Sequence, residues 1–486
     1  MSKHAFAGAA ALLLTTAPAA WAELSGPALW ADWQDFYGRF GGALVAADER
    51  YEDGVLTLDG VRFENDIGGA ATRSEGFGPI RMVEQDDGSV AIELPQSFEI
   101  STTTTVDGES ITQSAQLANE GLEIVAREDG AQRVYDMAAD SVSWSMADPA
   151  GDESASLGMI LTGLVSTYIS GGEDPNAFAQ TLSADGAAVT VEATGTEAFS
   201  MAYAMEGIAS DFAGVLAGAP GGDVTSLADL GLVYGGEMTH SGSTLSLDGT
   251  GDQGPFTLTG QSEAGGIEVA IDETTLSYGV RSQGGGVTVQ TAAFPLPVSA
   301  AIAELTSSVT LPVGAGPEAR PLGMELVLRD LVVDDSIWSL FDPTGQLPRD
   351  PATVVVDVDG SAVMTADLFG GPEAMARLQG PPGELEGVTI NELVISFAGA
   401  ELRGSGDLDF PTPDPTTPVG SITLALDGGF QLLDSLVALG FVPAEQAGFF
   451  KGMAGAVSRP VGDDQLESTI EFSEGGGISA NGMPLR

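Results

Sequence analysis

The chain has 486 residues, 43% of them hydrophobic, and carries 70 acidic against 17 basic side chains for a formal net charge of −53. Such a surface repels phosphate backbones over a Debye length of about 8 to 10 Å, which excludes nucleic acid as a partner. Because there is no cysteine, disulfide bonds are excluded as well, and the chain must fold on its hydrophobic core alone.

The N-terminus has the three parts of a cleaved secretory signal peptide. Lys3 supplies the basic region, an apolar stretch runs from Ala5 to Leu14, and Ala20-Trp21-Ala22 is a small-residue exit. We therefore expect residues 1–22 to be removed and the mature chain to reside in the periplasm. No later stretch contains 18 uninterrupted apolar residues, so no transmembrane helix is expected in the mature chain.

The first predicted element is an amphipathic helix in the segment SGPALWADWQDFYGRFGG, which begins at Ser25. Ser25 is placed to cap this helix, and Pro27 suits its first turn. Its apolar residues recur at helical spacing: Leu29, Trp30, Trp33, Phe36, Tyr37 and Phe40. We interpret them as the face that docks the helix onto a sheet; the alternative is an exposed face that binds a partner.

From Ala43 onward, short runs of alternating apolar and polar residues predict β-strands, as in VLTLDGVRF, SVAIEL and TVVVDVDGSAV. Asp-Gly and Asn-Gly pairs favour the positive φ of hairpin turns. They include Asp53-Gly54, Asp185-Gly186, Asp248-Gly249, Asp359-Gly360 and Asn481-Gly482. The predicted fold class is mainly β with a few helices, a β-rich α+β protein in which one or more long, curved antiparallel meander sheets follow the N-terminal amphipathic helix.

Further helical patterns are few. They lie near Glu206 to Leu216, Asp335 to Phe341, Pro372 to Leu378, Phe430 to Leu439 and Ala444 to Val457. The sequence Gly-Ala-Pro-Gly-Gly from Gly218 to Gly222 is the candidate boundary between two β-rich halves, residues 23–220 and 221–486. The pattern leaves open whether the halves form one sheet or two domains.

Residues for catalysis or metal binding are scarce. His240 is the only histidine after removal of the signal peptide, and no G-x-S-x-G occurs, so we interpret it as structural and exclude zinc sites built on cysteine and histidine alone. Gly249 to Gly254 fits G-x-G-x-x-G, but the strand-like run after Pro255 indicates a hairpin. Asp357 and Asp359 share a strand face, which favours a solvated face over paired glycosidase carboxylates. No catalytic, cofactor-binding or metal-binding residue is predicted.

The stretch SIWSLFDPTGQLPRDPATVVVDVDG, Ser336 to Gly360, is the least typical of the chain. Asp334 or Asp335 is expected to cap a short helix, which the following prolines end before a strand begins. We interpret the stretch as a structural connection, with Arg349 paired to a nearby acid. The alternative is a ligand or partner segment that includes Trp338, Phe341 and Arg349.

Three sequence features together resemble the bacterial exported family catalogued as domain of unknown function 2125. They are the W-x-x-W helix at Trp30 and Trp33, the LRDL…WSLFDPTGQLPRDPATVVVDVDG segment, and the ending STIEFSEGGGISANGMPLR. The resemblance covers nearly the whole mature chain and implies a periplasmic protein with no assigned reaction. More distantly, the meander behind an N-terminal helix is similar in style to AsmA-like envelope proteins, which are associated with lipid traffic.

The sequence thus predicts a soluble, non-catalytic periplasmic protein that binds a lipid, another apolar envelope molecule or an envelope protein, without a cofactor. Two alternatives belong to other classes. An outer-membrane β-barrel also combines a signal peptide with alternating strands, although aromatic residues for its two girdles are few. A secreted hydrolase that uses carboxylates needs only two acids at the right distance.

Overall fold

The computed structural model describes residues 24–485 with gaps at 40, 68–69, 107–108, 149–153, 196–197, 217–231, 252–253, 293–295, 370–375, 377, 379 and 413. The helices in this part of the chain are α1 (Gly26–Arg39), α2 (Asp335–Phe341), α3 (Gly429–Ala438) and α4 (Ala444–Val457). The strands are β1 (Gly42–Val45), β2 (Asp48–Glu52), β3 (Val55–Asp59), β4 (Arg62–Ile67), β5 (Ala70–Glu75), β6 (Ile80–Glu84), β7 (Val90–Glu93), β8 (Ser97–Val106), β9 (Glu109–Glu120), β10 (Glu123–Asp129), β11 (Gln132–Asp148), β12 (Ala155–Gly171), β13 (Ala177–Ala193), β14 (Phe199–Val215), β15 (Val233–His240), β16 (Gly242–Gly251), β17 (Gly254–Ser262), β18 (Ala264–Ile271), β19 (Thr275–Thr291), β20 (Val298–Pro312), β21 (Arg320–Val333), β22 (Ala352–Met364), β23 (Gly383–Phe397), β24 (Ala400–Asp409), β25 (Val419–Asp427), β26 (Arg459–Gly462), β27 (Gln465–Ser473), β28 (Gly477–Ala480) and β29 (Met483–Pro484).

All of the described strands belong to one antiparallel sheet. The chain runs back and forth, so that each crossing of the sheet pairs with the crossing before it and the crossing after it. Some crossings consist of two strands in line: β1 and β2 pair with β4 and β3, and β15 and β16 pair with β18 and β17. The fold is therefore mainly β with a long antiparallel meander, as the alternating sequence pattern predicts.

Helix α1 packs on the N-terminal end of the sheet and forms the larger of the two described cores with it. Leu29 is fully buried and Trp30 is 3% exposed, and both pack among Leu56, Leu58 and Met82 from β3 and β6. Leu29, Trp30 and Trp33 thus dock the helix onto the sheet, as we predict from the sequence, whereas Phe40 of the predicted face lies outside the described residues.

The first turn of α1 is held by two polar contacts and one close approach. The Ser25 hydroxyl accepts a hydrogen bond from the Ala28 N–H at 3.3 Å, which is the predicted cap, and the Glu84 carboxylate accepts one from the Gly26 N–H at 3.1 Å. A Cβ on Gly26 would stand only 3.0 Å from the Cβ of Leu56. Glycine at this position therefore lets the helix lie directly on β3.

Several long strands are interrupted near their middle by a residue in the left-handed region. Gly163 (φ 61°) lies against the Asp185 side chain of the next strand, and Gly207 (φ 57°) lies against Ser241. Beyond such an interruption, the alternation of side chains between the two faces restarts one residue later. Side chains on either side of Ser241 consequently share one face: Met238 and His240 before it, and Ser243 and Leu245 after it.

One face of the sheet, which we call the apolar face, carries runs of aliphatic or aromatic residues that face each other on neighbouring strands. One run is Met159, Val189, Tyr203 and Leu245, and another is Leu326, Val356 and Leu393. The opposite face carries hydroxyl pairs, such as Ser277 with Thr310 at 3.0 Å, and ion pairs, such as Arg281 with Glu237 at 3.1 Å. The chain steps twelve times across the sheet from β11 to β25, so at about 4.8 Å a step this face extends for roughly 58 Å.

The structure confirms some local predictions and corrects others. Helices α2, α3 and α4 lie where helical patterns predict them, and Asp334 caps α2 by accepting the Ser336 N–H. The helix predicted near Glu206 to Leu216 is wrong, because these residues lie in β14 and its connection. The helix predicted at 372–378 lies almost entirely outside the described residues.

The predicted turns fall into two groups. Asp53-Gly54 and Asn481-Gly482 have positive φ at both residues, as hairpin turns require. The turns predicted at Asp185-Gly186, Asp248-Gly249 and Asp359-Gly360 are wrong, since these pairs lie inside β13, β16 and β22.

Two predicted features fall on residues that the structure does not describe, the signal peptide at 1–22 and the boundary at Gly218–Gly222. On either side of that boundary the sheet is continuous, since β14 pairs with both β15 and β16. None of the described helices is both long enough and apolar enough to cross a bilayer.

Candidate functional site

A cavity of about 1260 Å³ lies between α1 and the apolar face of the sheet. Its helical wall includes Trp30, Trp33 and Arg39, and its opposite wall is formed by side chains of strands from β1 to β13. Phe63 and Phe98 contribute apolar surface from β4 and β8. The cavity exists because α1 covers only part of the sheet that it packs on.

A row of five aromatic rings leads from this cavity across the apolar face. Each ring lies against the next: Tyr135 and Tyr168 have ring centroids 6.0 Å apart, Tyr168 and Phe178 6.3 Å, Phe178 and Tyr234 6.0 Å, and Tyr234 and Phe212 5.5 Å. The first pair is tilted and the other three are stacked, and aromatic pairs of both kinds stabilise cross-strand contacts. The aromatic row joins the cavity to the uncovered apolar face, and no charged side chain belongs to the row.

Polar groups in the cavity are paired at its helical side. The indole N–H of Trp33 donates to the hydroxyl of Tyr135 at 3.0 Å, and Arg133 forms ion pairs with Asp32 at 2.7 Å and with Glu128. Burial raises the pKa of both Tyr135 and Tyr168, so both phenols stay neutral near pH 7. The charged groups of the cavity wall are therefore this cluster of Asp32, Arg133 and Glu128, together with Asp35 and Arg39 of α1.

Beyond the aromatic row, the apolar face carries a second, shallower cavity of about 670 Å³. Met205, Leu245, Ile267, Tyr278 and Val280 are among its lining residues. Side chains of this face are unusually exposed for their type, and Tyr278 remains 48% exposed. Contiguous exposed apolar surface of this extent is typical of a binding surface.

The predicted segment around α2 lies away from both cavities. Trp338 is 5% exposed, stacks on Phe397 with ring centroids 5.9 Å apart, and contacts Phe341 at 5.0 Å. Arg349 pairs with Asp335, so the predicted pairing with a nearby acid is confirmed. Trp338 and Phe341 belong to a compact structural cluster with Val333 and Ala398, at the ends of β21 and β23. A role of the segment in binding a ligand or partner stays a prediction.

Asp342 explains why this segment is so tightly built. The side chain is fully buried, and its two carboxylate oxygens accept hydrogen bonds from the backbone N–H groups of Gln346 at 2.9 Å and Leu347 at 2.8 Å. These hydrogen bonds, the one from Leu347 foremost, hold the pKa of Asp342 below its usual range. Asp342 therefore fixes the turn that follows α2 and positions Leu347 in the cluster.

The glycine-rich motif and the aspartate pair of the sequence both lie in strands of the sheet. The G-x-G-x-x-G segment belongs to the paired strands β16 and β17, where Gly251 faces Gly254, so the predicted hairpin is confirmed. Asp357 and Asp359 both accept hydrogen bonds from the Asn391 amide, at 3.2 and 2.7 Å. Within the described ranges, no three histidine, aspartate or glutamate side chains are placed to hold a metal ion.

The chain was compared with protein-family models, with curated proteins and with solved structures. No family model, curated protein or solved structure matches this chain. The resemblance to domain of unknown function 2125 and to AsmA-like proteins therefore stays a prediction, and the site is interpreted from its own geometry.

The helical wall of the cavity is predictable from the sequence, whereas the aromatic row is not. Trp30 and Trp33 are marked by their helical spacing, whereas Tyr135, Tyr168 and Phe178 lie on three different strands and share no local motif. Each is the only aromatic residue in its strand segment, as in QRVYDMAA for Tyr135 and PNAFAQT for Phe178. A register assignment for β11, β12 and β13 is the signal that would bring them together.

Proposed function

We propose that this protein is an exported, non-catalytic binding protein that holds an apolar ligand with long hydrocarbon chains in the cavity under α1 and along the apolar face. The observation that carries the proposal is the aromatic row, which leads from the cavity onto a face that stays half-exposed. A lipid or another apolar molecule of the cell envelope is the ligand class that fits this surface.

The size and shape of the site support a ligand with long chains. Pockets for drug-sized ligands typically enclose about 300–1,000 Å³, and the cavity under α1 is larger and opens onto a long face. A face of roughly 58 Å by one strand length offers linear contact that a compact ligand would not use. A hydrocarbon chain lying along the sheet would gain apolar burial at every strand that it crosses.

The distribution of charge supports binding rather than catalysis. On β22, Asp357 faces Glu325, whereas Val358 faces Met324 on the other side of the sheet. On β21 and β22 the carboxylates thus lie opposite to the apolar face, and the strand surface on the apolar face is aliphatic. Two further expectations join the proposal: the signal peptide would place the protein in the periplasm, and envelope proteins would be the partners that deliver or receive the ligand.

The first test is native mass spectrometry of the mature protein, purified from a periplasmic extract without detergent. A stoichiometric apolar adduct that organic extraction removes is the expected result. A clean apo mass that stays unchanged after incubation with envelope lipids would overturn the proposal.

The second test uses two neighbouring residues with similar exposure on opposite faces. Met159, 43% exposed, faces Val189 on the apolar face, whereas Ile160, 38% exposed, faces Ala188 on the other face. We expect Met159→Gln to weaken binding of an uncharged fluorescent alkyl probe about five- to tenfold, because apolar contact is lost. Ile160→Gln should change the affinity for this probe less than twofold. Equal effects of the two variants would contradict binding on the apolar face.

A further inference from the structure

Arg39, the last residue of α1, lies on the wall of the large cavity without a carboxylate partner. It donates one hydrogen bond to the Pro175 carbonyl oxygen at 3.0 Å, and its guanidinium carbon stands 5.7 Å from the centre of the Phe36 ring. Its Nε is buried and has no hydrogen-bond partner. The guanidinium group therefore has donor capacity that the protein does not use.

An arginine without an ion pair is exceptional in the described part of this acidic chain. The basic side chains that do pair with a carboxylate are Arg50, Arg62, Arg73, Arg81, Arg127, Arg133, Arg281, Arg329, Arg349, Arg403, Lys451 and Arg459. Among the described residues, Arg39 and Arg320 form no such pair, and Arg320 lies outside the cavity, where it acts electrostatically on Asp272. Acidic residues outnumber basic residues about fourfold, so a lack of acidic partners does not explain an arginine without an ion pair.

The other charged groups of the cavity leave room for an anion beside Arg39. Asp32 and Glu128 both form ion pairs with Arg133, and Asp35, which is exposed, also lines the cavity but forms no ion pair with Arg39 among the described residues. Arg39 lies close enough to Tyr168, the second member of the aromatic row, to act on its hydroxyl electrostatically. Burial keeps this phenol protonated, so it is available as a neutral hydrogen-bond donor near Arg39.

We propose that Arg39 binds the anionic head group of a ligand whose hydrocarbon part lies along the aromatic row. This inference rests on the proposed function and names its ligand class: an amphiphile with a carboxylate or phosphate head. A guanidinium group presents paired donors that match either oxyanion, and the hydrogen bonds are stronger than neutral ones because both partners are charged. The head group would accept hydrogen bonds from guanidinium N–H groups that Arg39 does not use in its bond to Pro175.

The test compares three probes with one chain length: dodecanol, dodecanoate and dodecyl phosphate. Each is titrated at neutral pH, below its micelle concentration, against the mature protein loaded with a fluorescent alkyl probe, and displacement gives its affinity. We expect the wild-type protein to prefer at least one anionic probe over dodecanol by tenfold or more. Preference for dodecanoate indicates a free fatty acid, and preference for dodecyl phosphate indicates a phosphorylated lipid.

Variants of Arg39 separate a head-group site from a structural role. Arg39→Gln should remove the preference for the anion and leave the affinity for dodecanol within twofold of wild type, whereas Arg39→Lys should retain part of the preference. Arg320→Gln is the matched control and should retain all of it. If the wild-type protein binds all three probes equally, or if Arg39→Gln keeps the preference, the inference fails while the proposed function stands. If none of the probes binds, the proposed function fails and the inference fails with it.

Discussion

The indole N–H of Trp33 donates a hydrogen bond of 3.0 Å to the hydroxyl of Tyr135, across 102 residues of sequence. Trp33 belongs to α1 and Tyr135 begins the aromatic row on β11, so this bond ties the helical wall of the cavity to the sheet. Since the hydroxyl accepts from Trp33, its own proton remains available for donation into the cavity. The same contact thus supports the structure of the cavity and the polarity of its inner end.

The coupling between these two residues is measurable. We expect Trp33→Phe and Tyr135→Phe each to destabilise the protein, and the double variant to be less destabilised than the sum by about 0.5–1.5 kcal/mol, the usual net contribution of one hydrogen bond. Denaturant unfolding of the four proteins gives this coupling energy. A coupling energy of zero would mean that the bond does not hold α1 on the sheet.

Leu29 anchors α1 in the core and sets the second prediction. The side chain is fully buried among residues of β3 and β6, so Leu29→Ala should lower the free energy of unfolding by about 2–5 kcal/mol. Leu340 is 70% exposed on α2, and Leu340→Ala should change the free energy of unfolding by less than about 0.5 kcal/mol. Comparable losses from both variants would show that α1 is not packed as a core element.

Local sequence patterns predicted the strands and most helices because each depends on near neighbours. Alternation marks strands such as β22, and helical spacing marks α1, α3 and α4. The prediction for residues 206–216 failed because the segment contains helix-forming residues such as Glu206, Ala209 and Ala213, while pairing with β13 and β15 on both sides keeps it extended. Tertiary pairing outweighs a local preference of this size.

The candidate site was less predictable than the fold. An Asp-Gly pair suggests a turn wherever it occurs, yet Asp185-Gly186 lies inside β13 because Asp185 faces the interruption at Gly163 in the adjacent strand. The aromatic row depends in the same way on the register of several strands. Register is fixed by long-range pairing, which a single sequence does not specify locally.

The mid-strand interruptions lead to a third prediction, in which two Gly→Ala substitutions change the free energy of unfolding in opposite directions. At Gly163 the backbone has φ 61°, where a Cβ costs about 1–2 kcal/mol, so Gly163→Ala should destabilise by that amount. Gly455 lies in α4 with no atom within 4 Å of its Cβ position, so Gly455→Ala should stabilise by about 0.5–1 kcal/mol. Thermal and denaturant unfolding both report the sign. A neutral Gly163→Ala would contradict the left-handed conformation at this position.

The fourth prediction concerns pH and the buried carboxylate of Asp342. Hydrogen bonds from the Leu347 and Gln346 N–H groups lower the pKa of Asp342 in the folded protein. At a pH near this pKa, the folded protein therefore binds fewer protons at Asp342 than the unfolded chain does. Its stabilisation is therefore fully present above the unfolded pKa of about 3.9 and is lost as the pH falls through the lower folded pKa.

Asp342→Asn removes this titration and one of the two acceptors, because its amide nitrogen cannot accept from a backbone N–H. We expect the variant to have a lower Tm than the wild type at pH 7, and the difference to narrow as the pH falls below about 4. Asp350→Asn, a change at an exposed acid in the same segment, is the control for the loss of one negative charge. A Tm difference for Asp342→Asn that stays constant from pH 7 to pH 3 would show that the carboxylate does not act through its ionised form.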